Sequence, residues 1–216
     1  MLRKPSSWVK RYSAHVAGRA EDVGVPVVYS HAQEVVSAGG GAKSYAAIKT
    51  GGHPAATSMP SGYDAEQSEK RVSICANLDR SQKEELLRIS EAVFEDGENP
   101  NTALAWLLAE HLVNDCEQHP SEGFVGSVLL TEELVQRAGE VASSDEFSDF
   151  LYESLPWPSI APLAYAKPDK SIDGHCMVEP GAVLNVIAYL VANCDHGVED
   201  VLRYSKRLAP GLRRAH

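Results

Sequence analysis

Residues 71–78, Arg-Val-Ser-Ile-Cys-Ala-Asn-Leu, alternate between apolar and polar side chains. No other segment constrains the fold as strongly. Val72, Ile74, Ala76 and Leu78 fall on one face, and Arg71, Ser73, Cys75 and Asn77 on the other, the period of a half-buried strand. A lone strand leaves a row of backbone donors and acceptors unsatisfied, so it needs a second strand, from this chain or another. The period then changes. Asp79 or Ser81 offers an N-cap for a helix over 80–94, whose Leu86, Ile89, Val93 and Phe94 recur at helical spacing. Glu84 and Glu85 sit early in it, where the helix dipole favours acids. EDGENP closes this helix, and Asn101 or Thr102 starts a second. That one is strongly apolar through Leu104, Trp106, Leu107, Leu108 and Leu112, which makes Trp106 a core residue.

A weaker echo follows. Phe124 to Leu130 reads as a strand, and TEELVQRAGEVAS repeats the first helix. Either SDEFSDFLYESL or, after an insertion, Ala182 to Cys194 completes a second strand–helix–helix unit. The expected fold is α+β and mainly helical, built of one or two such units. A small helical segment stands before them. Thr50 to Lys70 is rich in Gly, Pro, Ser and Ala and reads as a linker. This sets the expected organisation: a basic arm and short helices over 1–49, a linker over 50–70, and a strand–helix–helix domain, single or tandem, over 71–216. The prolines at 156, 158, 162 and 168 make 155–170 irregular.

Charge narrows the choice of partner. The net charge is −10, yet residues 1–20 contain Arg3, Lys4, Lys10, Arg11 and Arg19 and no acid. Such an arm suits phosphate or an acidic partner, or is simply a solvated terminus, while the acidic body repels nucleic acid. The arm also resembles an organelle transit peptide, though it lacks the apolar core of a secretory signal. No apolar run approaches the ~18–20 residues that span a bilayer. Four cysteines, Cys75, Cys116, Cys176 and Cys194, form no CxxC pair, so a reducing, cytoplasmic setting is expected rather than a disulfide framework.

In rhythm, 71–114 resembles the ribbon-helix-helix DNA-binding family, in which the strand pairs antiparallel with its twin. The resemblance implies that Arg71, Ser73, Cys75 and Asn77 face the bases of duplex DNA. It also implies that Asn101 and Thr102, at the start of the second helix, meet a phosphate. A homodimer or intramolecular tandem pairing would supply the second strand. The tandem form is similar to single-chain accessory proteins of conjugative transfer, which implies a bacterial, plasmid-associated regulatory role. The sequence departs from the family in a longer inter-helix loop, in the absence of a central cation on the reading face, and in ten acids against four bases over 71–118.

Residues 32–49 resemble a short helix–glycine–helix module of bacterial proteins, sometimes labelled glyoxalase-related. Ala32, Gln33, Glu34, Gly41, Ser44, Ala47 and Lys49 match it. No metal-ligand set accompanies them. The Gly39–Gly41 run lacks the GK[ST] of a phosphate loop and reads as a turn. His111, Cys116 and His119, His175 with Cys176, and Cys194 with His196 match no familiar zinc spacing, so no metal or cofactor is expected. Three function classes result. A DNA-binding accessory protein leads, an acidic protein-interaction module follows, and a small Cys/His enzyme comes third. Catalysis is not expected.

Overall fold

The computed structural model describes residues 7–51, 53–56, 60–118, 128–154 and 174–208. They divide into two compact units, residues 1–99 and 100–216. The division therefore falls between two helices and not at the glycine- and proline-rich stretch over 50–70.

The described part of the first unit is helical: α1 (Ser7–Asp22), α2 (Tyr29–Gly39), α3 (Tyr45–Lys49), α4 (Ala65–Val72) and α5 (Arg80–Glu98). Helix α1 packs on α2 and α5, and α2 packs on α4 and α5. The basic arm is mostly this first helix. Trp8, Val9, Tyr12 and Val16 recur at helical spacing and are buried. Tyr12 meets Phe94 edge-on with ring centroids 5.1 Å apart, and Trp8 meets the same ring at 6.0 Å. Arg19 is drawn in with them and donates from Nη2 to Asp96 Oδ2 at 2.6 Å. An apolar stripe this continuous outweighs the solvation of the cations between its members, so residues 7–20 are not a solvated arm.

The expected strand over 71–78 is absent. Helix α4, capped by the Asp64 side chain accepting from the Gln67 amide, runs to Val72, and a chain of turns follows. Ile74 N donates to Arg71 O, Cys75 N to Val72 O and Leu78 N to Cys75 O. The buried positions are Val72, Cys75 and Leu78, a spacing of three in place of the alternation of two. Turns satisfy these backbone groups locally, which a strand without a partner could not do. The expected linker likewise ends in structure, because α4 begins at Ala65 and Tyr63 packs its ring 5.3 Å from Phe94.

The triple glycine is shaped by aromatic packing. A β-carbon on Gly39 would come within 2.7 Å of the Tyr63 ring, and one on Gly40 within 2.6 Å of Trp8. Only Gly41, at φ +77°, needs glycine for its backbone. Helix α5 runs on to Glu98, well past the expected end at Phe94, and stops at Asn99, whose extended backbone precedes Pro100.

The second unit reads α6 (Pro100–Gln118), β1 (Val128–Thr131), α7 (Glu132–Ala142), α8 (Asp145–Ser154), β2 (His175–Val178), α9 (Pro180–Val191) and α10 (Val198–Lys206). Helix α6 opens on Pro100, at a position where no amide is needed. It is the core of the unit and packs on α9, α10 and β1. Leu104, Trp106, Leu108 and Leu112 are all buried, as the sequence leads one to expect. Strands β1 and β2 pair antiparallel, Val128 opposite Val178 and Thr131 opposite His175. Among the described residues after α6, the order strand–helix–helix therefore occurs twice, with the two strands joined. Among the described residues no helix is long and apolar enough to cross a membrane.

Candidate interaction surface

The two-stranded ribbon is the one place among the described residues where strand side chains are presented outward in a fixed register. Val128, Leu130, Cys176 and Val178 alternate inward and are buried. Leu129, Thr131, His175 and Met177 form the other face, with Leu129 directly opposite Met177 and Thr131 opposite His175. Met177 is 49 % exposed, one of few large apolar side chains so open to solvent among the described residues. The ends of the ribbon are fixed by the helices that follow. Thr131 closes β1 and caps α7, its Oγ1 accepting from the Leu134 amide. Glu132 N donates to Gly174 O, tying the start of α7 to the turn before β2. Glu179 closes β2, and Pro180 starts α9.

The second unit is acidic in composition. Residues 100–216 hold 17 of the 30 acids and eight of the 20 bases. Neither 128–134 nor 174–183 contains Lys or Arg. Glu132 and Glu133 are exposed at one end of the ribbon and Glu179 at the other.

The residues expected to read DNA lie elsewhere. Arg71, on α4, donates from Nε and Nη2 to Glu34 Oε2, and the same carboxylate oxygen accepts from the Tyr45 amide. Glu34 thereby fastens α4 and the start of α3 to α2. Ser73 donates to Lys70 O in the turn. Cys75 is fully buried and cannot face a groove. Asn77 donates from Nδ2 to Pro26 O at 2.9 Å. These four belong to the first unit, on a helix end and turns. Asn101 and Thr102 belong to the second, in the first turn of α6. Asn101 is exposed, whereas Thr102 is 8 % exposed, with its Oγ1 4.0 Å from Cys194 Sγ.

The cysteine and histidine groupings do not converge. His175 and Cys176 are neighbours on a strand, so their side chains point to opposite faces. Burial, with a smaller effect from Glu132, pushes the Cys176 thiol above its ordinary value, and burial does the same to Cys75. Raised thiol pKa values disfavour the thiolate that nucleophilic chemistry needs. Within the His111, Cys116 and His119 grouping, the Cys116 side chain and His119 lie outside the described residues. Among the described residues no three His, Cys, Asp or Glu side chains gather as a metal site would require.

Two open grooves mark the first unit. One, of about 450 Å³, lies between Val23–Val25 and the Ser81–Arg88 part of α5. The other, of about 430 Å³, lies between Gly39–Gly41 and Pro60–Ala65. Neither carries an unpaired cation, and the carboxylates of Glu84 and Glu85 in the first are already taken by Arg80 and Arg88. The ribbon face was missed in sequence because HCMV is only four residues long and follows a proline-rich stretch. No protein-family profile, curated protein or solved structure matches this chain.

Proposed function

We propose that this chain is an acidic protein-interaction module whose contact surface is the outward face of the β1–β2 ribbon. The observation that carries the reading is the pairing of half-buried Leu129 with exposed Met177 on that face, on two strands that carry no Lys or Arg. Met and other large apolar groups are favoured at the centres of protein interfaces. A duplex, by contrast, is gripped largely through phosphate neutralisation, and the exposed charges next to the strands in sequence, Glu132, Glu133 and Glu179, have the wrong sign for it.

One observation favours a second reading, that of a DNA-binding accessory protein. Strand–helix–helix occurs twice with antiparallel strands joined, the order of elements in tandem ribbon-helix-helix proteins. In that reading Leu129, Thr131, His175 and Met177, and not 71–78, would enter the groove. Apolar contact with a thymine methyl is open to such a face, but the bidentate guanine and adenine contacts are not.

A photo-crosslinking side chain placed at position 177 separates the two in cells that express the protein. The interaction reading expects covalent adducts with protein that are lost when the crosslinker is moved to exposed positions on other helices. Adducts with nucleic acid, or none at 177 where other positions give them, would overturn it.

A further inference from the structure

Resting on the interaction reading, we propose that the ribbon face takes an extended cationic segment of a partner protein, in which one or two apolar residues stand between lysines or arginines. The apolar requirement comes from the face itself. Leu129 and Met177 are cross-strand neighbours, so their side chains form one small apolar patch, half-buried at Leu129 and exposed at Met177, too small to hold a helix and suited to alternate side chains of an extended chain. The charge requirement comes from the ends. Glu132 and Glu133 follow directly on β1, and Glu179 follows directly on β2. Because the strands are antiparallel, these carboxylates lie at opposite ends of the ribbon. Their backbones are separated by about five strand steps, or roughly 16 Å at about 3.3 Å per residue. A segment laid along the patch therefore meets carboxylates before and after its apolar residues.

The stretches 128–134 and 174–183 hold no Lys or Arg, and the nearest bases in sequence are Lys170, five residues before β2, and Arg137, on α7. Acidic partners and bare duplexes meet like charge at Glu132, Glu133 and Glu179. Complementary charge speeds the encounter and selects the partner, while burial of Met177 and Leu129 holds it.

The test uses the full chain and three synthetic heptapeptides: alternating Lys and Leu, alternating Lys and Ser, and alternating Glu and Leu. The chain has three methionines, Met1, Met59 and Met177. With ¹³C-methyl methionine the Met177 signal, assigned by its loss in Met177→Ser, therefore reports on the ribbon. The Lys/Leu peptide is expected to shift the Met177 methyl and to bind at least tenfold more tightly than either control. Met177→Ser should weaken it at least tenfold, and Glu132→Gln with Glu179→Gln should weaken it and flatten its dependence on salt. Circular dichroism of both variants checks that they remain folded.

Equal binding of the Glu/Leu peptide would overturn the proposal, as would a Lys/Leu affinity indifferent to both variants. So would a Met177 signal that moves with the chain's own concentration, which would place a second copy on the face. Protein adducts at position 177 without Lys/Leu binding would leave the interaction reading standing and remove only the cationic partner. Nucleic-acid adducts there would remove both.

Discussion

Gly97 of α5 lies so close to the phenol of Tyr12 on α1 that a β-carbon at position 97 would overlap the Tyr12 hydroxyl. The tyrosine cannot easily give way. It is 2 % exposed, and its ring is held edge-on by both Trp8 and Phe94. Gly97→Ala adds up to about 1 kcal/mol of intrinsic helix preference. Overpacking opposes this by about 1–3 kcal/mol. The expected net effect is a destabilisation of about 1–2 kcal/mol, read from the urea midpoint. A parent-like midpoint would show that Tyr12 has room to move.

The same burial makes the first unit sensitive to alkali. Burial, the largest influence, pushes the Tyr12 phenol well above the ordinary tyrosine range, and it raises Tyr63 as well. Both phenols are thus favoured neutral in the folded state. Their contribution to stability is fully present below the unfolded value of about pH 10. It is lost as pH rises through the folded values, because the unfolded chain ionises first. Thermal midpoints measured from pH 8 to 11 should fall above about pH 10, and Tyr12→Phe should make that fall shallower. An identical slope in the variant would mean that Tyr12 does not supply the effect.

The helices were legible wherever an apolar period persisted for three turns. The stripe Leu86, Ile89, Val93, Phe94 marks α5, and Leu104, Leu108, Leu112 marks α6. Two signals misled. Lys10, Arg11 and Arg19 give the segment the charge of a solvated arm, though Trp8, Tyr12 and Val16 among them spell a buried helix face. At 71–78 the alternation of polarity was real, but burial follows Val72, Cys75 and Leu78, since no strand partner is at hand and turns close the backbone. Strand β2 had no local signature, because what makes HCMV a strand is its pairing with β1, a contact about 50 residues away in sequence. The outward face was hidden with it.

Trp106 tests the core of the second unit. It is 2 % exposed on α6, the helix that packs on α9, α10 and β1. Trp106→Ala should cost about 3–5 kcal/mol. The loss should appear in denaturant unfolding together with loss of near-ultraviolet circular dichroism. A change under about 1 kcal/mol would place the indole outside the core, against the packing described for α6.

Asn77 decides between two roles that one substitution separates. In the structure its amide nitrogen donates to Pro26 O at 2.9 Å, which ties the turn after α4 to the segment joining α1 and α2. The side chain is exposed, so water replaces part of that bond when it is removed. Asn77→Ala should therefore cost about 0.5–1 kcal/mol, the low end for a neutral hydrogen bond. Had Asn77 instead read a base from a ribbon, stability would be unchanged, and discrimination at one base pair would fall by about 1–3 kcal/mol. Denaturant unfolding beside fluorescence anisotropy on duplex DNA, at low and moderate salt, reads both quantities. The expected outcome is a small loss of stability with duplex binding unaltered at either salt. A selective loss of sequence preference in a chain of parent stability would return this turn to the DNA-reading role and take the interaction reading of the ribbon face with it.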